Sequence, residues 1–268
     1  MEDRAEHERM DHRWPAAWKD CAPRNYAQAS INRLPQPTAS PILLLYFQAN
    51  DAHRIAEIMI RHANATIRAF LQAGGHSSRM GTDKAWIEIN GHSLIEHMLA
   101  AADTVATSLS IIISADNPNA ERYAKLAEGQ GARLLFDLHD HLGPLGGIHT
   151  ALKNCDANEA ALILACDLPF LTTEFLTLLY QKHQSGVAQI TVPFDAEGRL
   201  QPLVAIYDQA CLAAVEEQLA AGRLRVDRLF DLVLTARIAF SDFAHLPGAP
   251  QFFLNLNSPE DLSFVVKP

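Results

Sequence analysis

The sequence predicts an α/β fold in three layers, a mostly parallel sheet with helices on both faces. Three observations predict it. From Thr66 onward short apolar runs alternate with amphipathic, helix-length segments, the pattern of a parallel sheet built from crossover units. The runs are predominantly apolar, as strands buried on both faces should be. Several of them end abruptly in Gly or Asp, the residue types expected where a ligand sits at the carboxyl ends of parallel strands.

The strands are read, in order, at Ile67–Leu71, Leu109–Ser114, Arg133–Phe136, Ala161–Ala165, Gln189–Pro193 and Leu203–Tyr207. Helical patterns fall between them at Ser93–Thr104, Ala120–Gln130, Ile148–Asn154 and Thr173–Gln184. A last one, Gln209–Ala221, ends at Gly222, a natural C-terminal glycine. Residues 65–268 form this domain. Residues 1–64 are polar and proline-bearing, with no sustained period, and read as a poorly ordered extension with a short helix around 51–61. A start at Met59, with translated leader upstream, fits the same residues equally well.

Composition narrows the class. Of the 268 residues, 22 are Lys or Arg and 31 Asp or Glu, a net charge of −9. That excludes a general nucleic-acid binder, which needs a basic face, so an anionic ligand must be met by a few local cations. The four cysteines, Cys21, Cys155, Cys166 and Cys211, have no metal-site spacing and read as buried thiols of a reducing compartment. The N-terminus is too acidic for a secretory signal, and "PILLLYF" is far shorter than the roughly 20 residues of a membrane span. The expected location is the cytoplasm.

The strand ends carry the chemistry. After the first strand comes "QAGGHSSRMGTDK". Adjacent Gly74 and Gly75 let backbone N–H groups approach phosphate oxygens. His76 breaks the G-x-G-x-x-G dinucleotide fingerprint, and Arg79 and Met80 stand where a P-loop needs its second glycine. The loop is therefore of a third kind, with Arg79 and Lys84 supplying charge; an ordinary glycine turn with surface basics is the plainer reading. After the fourth strand, "ALILACDLPF" runs straight into Asp167. A carboxylate at the tip of a buried strand is costly unless a positive partner sits there. Mg²⁺, held by one or two carboxylates plus phosphate oxygens, is the natural one; a helix cap is the alternative. His139, Asp140, His141 and His149 suggest a second metal cluster, less well than the neighbouring glycines suggest an anion-binding turn.

The stretch "AGGHSSRMGTDK" resembles the A-G-G-x-S-x-R-M-G-x-D-K pattern of the molybdenum cofactor guanylyltransferases. The resemblance covers about residues 67–262 and implies a Rossmann-like nucleotidyltransferase fold. It implies nucleotide contacts at Gln72, Ala73, Gly74, Gly75, Lys84, Ser114, Asp137 and Asp167. Gln72 stands where the family usually has leucine, and Ser114 where it often has asparagine. Arg79, Lys84 and Asp167 become the catalytic residues, Asp167 as ligand of Mg²⁺. "GPLGG" at 143–147 resembles the family's G-P-L-x-G turn into a helix. For the acceptor side the resemblance implies Gly146, Gln201 and Pro202, and, from "NLNSPEDL", Asn255 and Asn257 alternating on one face of a strand before a last helix, capping of that helix being an equal alternative for the two asparagines. Arg225, with Arg223 and Arg228, suits a phosphorylated acceptor, surface solvation being the plain alternative for each.

The activity so implied is transfer of GMP from GTP to the phosphate of molybdenum-molybdopterin. The acceptor is already anionic, so no general base is required. A CTP-dependent cytidylyltransferase and a non-catalytic nucleotide-binding module are the other readings. The resemblance brings GTP and a molybdopterin-type acceptor as partners, no nucleic acid and no membrane. It leaves open a monomer and a transient contact with molybdoenzymes or the chaperones that receive the product.

Overall fold

The structure, a computed structural model, describes residues 65–73, 83–139 and 142–256. Residues 1–64, with the short helix expected there and Met59, lie outside the described residues. The strands are β1 (Thr66–Gln72), β2 (Glu88–Ile89), β3 (His92–Ser93), β4 (Ser108–Ile113), β5 (Arg133–Phe136), β6 (Glu159–Ala165), β7 (Ile190–Pro193), β8 (Val204–Asp208) and β9 (Thr235–Ile238). The α-helices are α1 (Leu94–Asp103), α2 (Ala120–Gly129), α3 (Pro144–Lys153), α4 (Thr173–Gln184) and α5 (Leu212–Ala220).

Seven strands make one sheet in the order β5-β4-β1-β6-β8-β7-β9, and β2 pairs with β3 apart from it. Every neighbour pair in the large sheet is parallel except those of β8, which runs against both β6 and β7. The sheet is mostly parallel, as expected. Its central strand shows why: Ala69, Phe70 and Leu71 of β1 are fully buried, with Ala69 and Leu71 facing one layer and Phe70 the other. Helices α1, α2 and α4 cover the first face through Ile95, Met98, Tyr123, Phe175 and Leu179. Helices α3 and α5 cover the second through Leu145, Ile148, Leu152 and Val215. Burial of each such large apolar side chain contributes about 1.5–3 kcal/mol before entropy is counted.

Local signals set the helix boundaries. Ser93 and Glu96 form a reciprocal capping box that starts α1, and the Thr172 side chain accepts the Phe175 N–H at 3.4 Å to start α4. The helix expected from Ile148 begins earlier, at Pro144, because Gly143 takes a positive φ of 63° and proline favours the first helical position. Gly146 and Gly147 therefore lie inside its first turn. The segment expected as one helix from Gln209 opens as a 3-10 turn, Gln209–Cys211, and becomes α-helical at Leu212. Ser114 lies one residue beyond its strand. The strand expected through Asn255 is absent: residues 254–256 take no regular structure.

Candidate functional site

The register of the sheet brings the expected strand ends to one edge. Gln72, the last residue of β1, lies beside Ile112 of β4 and Ala165 of β6, and Ile113 lies beside Phe136 of β5. Because β8 is reversed, the residues before it reach the same edge: Val204 pairs with Leu164, and the Ala165 N–H donates to the Leu203 carbonyl at 2.9 Å.

Asp167 stands two residues past the end of β6, half-buried between the buried Cys166 and Leu168. Its carbonyl accepts the Leu256 N–H at 3.2 Å, which ties the C-terminal segment to the strand tip. Burial pushes the Asp167 carboxyl above the ordinary carboxylate range, and the nearby Lys84 charge opposes that rise. The sequence thus places a desolvated carboxylate and an ammonium group together at the mouth of the sheet. Lys84 opens a short 3-10 turn, Lys84–Trp86, whose N-cap is Asp83; the Asp83 carboxylate accepts the Ala85 N–H at 3.2 Å.

The other flank is the first turn of α3. The Gln72 carboxamide donates to the Pro144 carbonyl at 3.3 Å and lies directly over Gly147, where an added Cβ would fall 2.5 Å from its Cδ. Gly146 abuts Asp137 in the same way, at 3.3 Å from Oδ2. Asp137 Oδ1 accepts the Thr150 hydroxyl at 2.7 Å and the His139 N–H at 3.2 Å. Thr150, one turn along α3, therefore fixes the carboxylate at the tip of β5. Two glycines let β1, β5 and α3 close to within side-chain contact and leave polar groups lining the seam.

Residues 69–232 match the MobA-like NTP transferase domain family. The chain belongs to that family. A probable molybdenum cofactor guanylyltransferase of Pelotomaculum thermopropionicum is 34% identical over 191 residues, covering 71% of this chain and 87% of that protein. The molybdenum cofactor guanylyltransferase of Photobacterium profundum is 32% identical over 191 residues, covering 71% and 90%. Among solved structures, molybdopterin-guanine dinucleotide biosynthesis protein A of Archaeoglobus fulgidus superposes with a TM-score of 0.62 at 22% identity, over 74% of this chain and 96% of that one. At that identity the likeness speaks for the fold, the Rossmann-like nucleotidyltransferase architecture.

In this MobA-like domain the acceptor-side residues are distributed unevenly. Gln201 and Pro202 stand at the sheet edge, and Gln201 Nε2 donates to Asp195 Oδ2 at 2.9 Å. Asp195 is almost fully buried and also accepts from Arg199 Nε at 2.7 Å and from the backbone N–H groups of Glu197 and Arg199. Arg225 is exposed, and its guanidinium is paired with the Asp227 carboxylate. Asn255 is exposed beside Leu256. Ser114 opens a turn in which its carbonyl accepts the Asn117 N–H at 3.2 Å. Gly74, Gly75, Arg79 and Asn257 lie outside the described residues, as do Asp140 and His141. The His139 and His149 rings are tilted by 38° with centres 5.0 Å apart, and His149 Nε2 lies 3.5 Å from Glu216. Among the described residues no group of three or more His, Cys, Asp or Glu side chains could hold a metal ion.

Sequence reasoning missed the supports of the site. Thr150 and Asp195 stand among polar neighbours, His149 and the Glu197–Arg199 turn, and the sequence does not set them apart. Tyr123, fully buried in α2 with its hydroxyl on Asp83, could be found only through a contact forty positions away.

Proposed function

We propose that this chain transfers GMP from GTP to the phosphate of a molybdenum-bearing molybdopterin. An oxygen of the acceptor phosphate forms a bond to the α-phosphorus as the bond to the bridging oxygen of the β-phosphate breaks, and diphosphate leaves with that electron pair. The observation that carries the reading is Asp167 under the Lys84 charge at the tip of β6, beside the strand whose following loop bears Gly74, Gly75 and Arg79. The relatives' names supply the nucleotide and the acceptor.

The donor set fits a magnesium ion. It offers one strand-tip carboxylate and leaves the remaining positions to phosphate oxygens and water, the arrangement Mg²⁺ favours. Bound there, the ion would offset charge on the triphosphate during an in-line displacement. The protein's own groups do the rest. Lys84 neutralises phosphate charge, and Asp137, oriented by Thr150, accepts hydrogen bonds from the base or ribose. Gln72 and the first turn of α3 form the wall against which the nucleotide packs. The acceptor is anionic near neutral pH, so alignment and charge neutralisation supply the rate without a general base. No helix among the described residues is long and apolar enough to cross a membrane. The buried thiols of Cys155, Cys166 and Cys211 suit the reducing cytoplasm.

Diphosphate release from GTP and the molybdenum-bearing acceptor, with and without Mg²⁺, tests the reading. Lys84→Ala should lose about 10²–10³ in kcat, the usual effect of removing one charge-stabilising group. A variant keeping more than half of wild-type turnover would refute the role. Gln72, standing where the family usually has leucine, leaves one second reading, CTP as the nucleotide. Competition settles it: CTP displacing GTP at lower concentration than GTP itself would move the chain to the cytidylyl branch.

A further inference from the structure

The group directly before Lys84 is held more firmly than a turn requires. Asp83 spends one carboxylate oxygen on the Ala85 N–H at 3.2 Å. The other accepts the Tyr123 hydroxyl at 2.7 Å and the Asn119 side-chain N–H at 3.4 Å. Both partners belong to α2 and its N-cap, the helix that follows β4. Tyr123 is fully buried. Burial and the bond to Asp83 hold its phenol far above the ordinary range, so it stays a donor throughout the working pH range. The rest of the turn is packed as well: the Trp86 ring lies 4.9 Å from that of Tyr123, and the Arg122 guanidinium 3.8 Å over Trp86.

We propose that Asp83, clamped by Tyr123 and Asn119, is a positioning residue that fixes Lys84 relative to Asp167. A lysine has a long flexible stem, whose freedom must be restrained for its ammonium group to meet one phosphate. Three hydrogen bonds to one carboxylate fix the backbone from which that stem starts. They also join it to α2, so the cation is referenced to the β4 edge of the site and not only to the loop after β1. Misplacement by about 1 Å in such a site can cost 10²-fold in rate. The inference rests on the role of Lys84 given above.

The test is a double-mutant cycle read by GMP transfer, with amide hydrogen exchange as a second readout. Tyr123→Phe removes the hydroxyl and keeps the ring. It should lower kcat about tenfold or more, leave KM for GTP within about threefold, and speed exchange at the Ala85 amide. Asn119→Ala, a milder variant, should move both readouts in the same direction by less. In the Lys84→Ala background Tyr123→Phe should add less than twofold, because the group it positions is gone. Full additivity, or Tyr123→Phe with wild-type kcat, overturns the inference. If Lys84→Ala itself keeps its activity, the role of Lys84 falls instead. Ala85 exchange unchanged in Tyr123→Phe rejects the clamp whatever the substrate.

Discussion

Gly147→Ala separates folding from nucleotide binding in this domain. The new methyl would lie 2.5–2.7 Å from Cδ, Nε2 and Oε1 of Gln72, distances no real Cβ keeps. These atoms are the far end of a flexible side chain, so the amide swings away and the backbone stays. Its 3.3 Å bond to the Pro144 carbonyl is lost, worth about 0.5–1.5 kcal/mol net. Against that, Ala is favoured over Gly within a helix by about 0.8–1.0 kcal/mol. The two nearly cancel, so the melting temperature should move by no more than about 2–4 °C. The displaced amide is expected to move into the seam between β1 and α3, the proposed nucleotide wall. The GTP Kd should therefore rise about tenfold or more, measured by calorimetry beside thermal unfolding of the same sample. Unchanged affinity would show that the seam is not the nucleotide wall. A collapse in stability would show that Gln72 cannot move, and the cancellation argument would be wrong.

Other predictions follow from the same geometry. Asp167→Asn should abolish GMP transfer yet raise thermal stability at neutral pH. Its folded pKa is raised, chiefly by burial, so ionisation opposes folding and stability falls as pH climbs through that raised value. The gain should vanish below about pH 4, where the free carboxyl is protonated as well, and a gain persisting there would refute the cause. Asp195 has the opposite sign. Burial alone would raise its pKa, but the Arg199 N–H and guanidinium and the Glu197 N–H outweigh it. Its contribution is present above the ordinary carboxylate value and disappears as pH falls through the lowered folded value, a dependence that Asp195→Asn should flatten in pH-resolved melting. The same variant frees Gln201 and should raise KM for the molybdopterin acceptor more than KM for GTP. Thr150→Val deprives Asp137 of its 2.7 Å donor; a hydrogen bond to a charged group is worth about 1.5–3 kcal/mol, so GTP affinity should fall by tenfold or more in the same calorimetric assay.

What the sequence disclosed divides along physical lines. The buried strands were legible because a strand covered on both faces carries an apolar run through its middle, as Ala69–Leu71 of β1 and Ala160–Leu164 of β6 do. The direction of β8 was not, since an apolar run carries no arrow and only the pairing of Val204 with Leu164 supplies one. β9 is short, partly exposed and contains Arg237, so it lacks the apolar pattern of the central strands. The β2–β3 hairpin was passed over in the sequence although it carries a signal: Asn90 and Gly91 take positive φ values of 53° and 83°, and an Asn-Gly pair between two short runs is the strongest local hairpin signal. The same division holds at the site. Asp167 could be singled out because it stands just beyond a strand end, and the family resemblance added Gln72 and Asp137 at two others. Thr150, Tyr123 and Asn119 lie in helices or at their caps and act through a contact to a residue elsewhere in the chain. A residue that touches phosphate must sit where the fold opens, and strand ends in a parallel sheet open at one edge. A residue that holds another in place can sit wherever packing brings it, so it becomes visible only when the chain is folded.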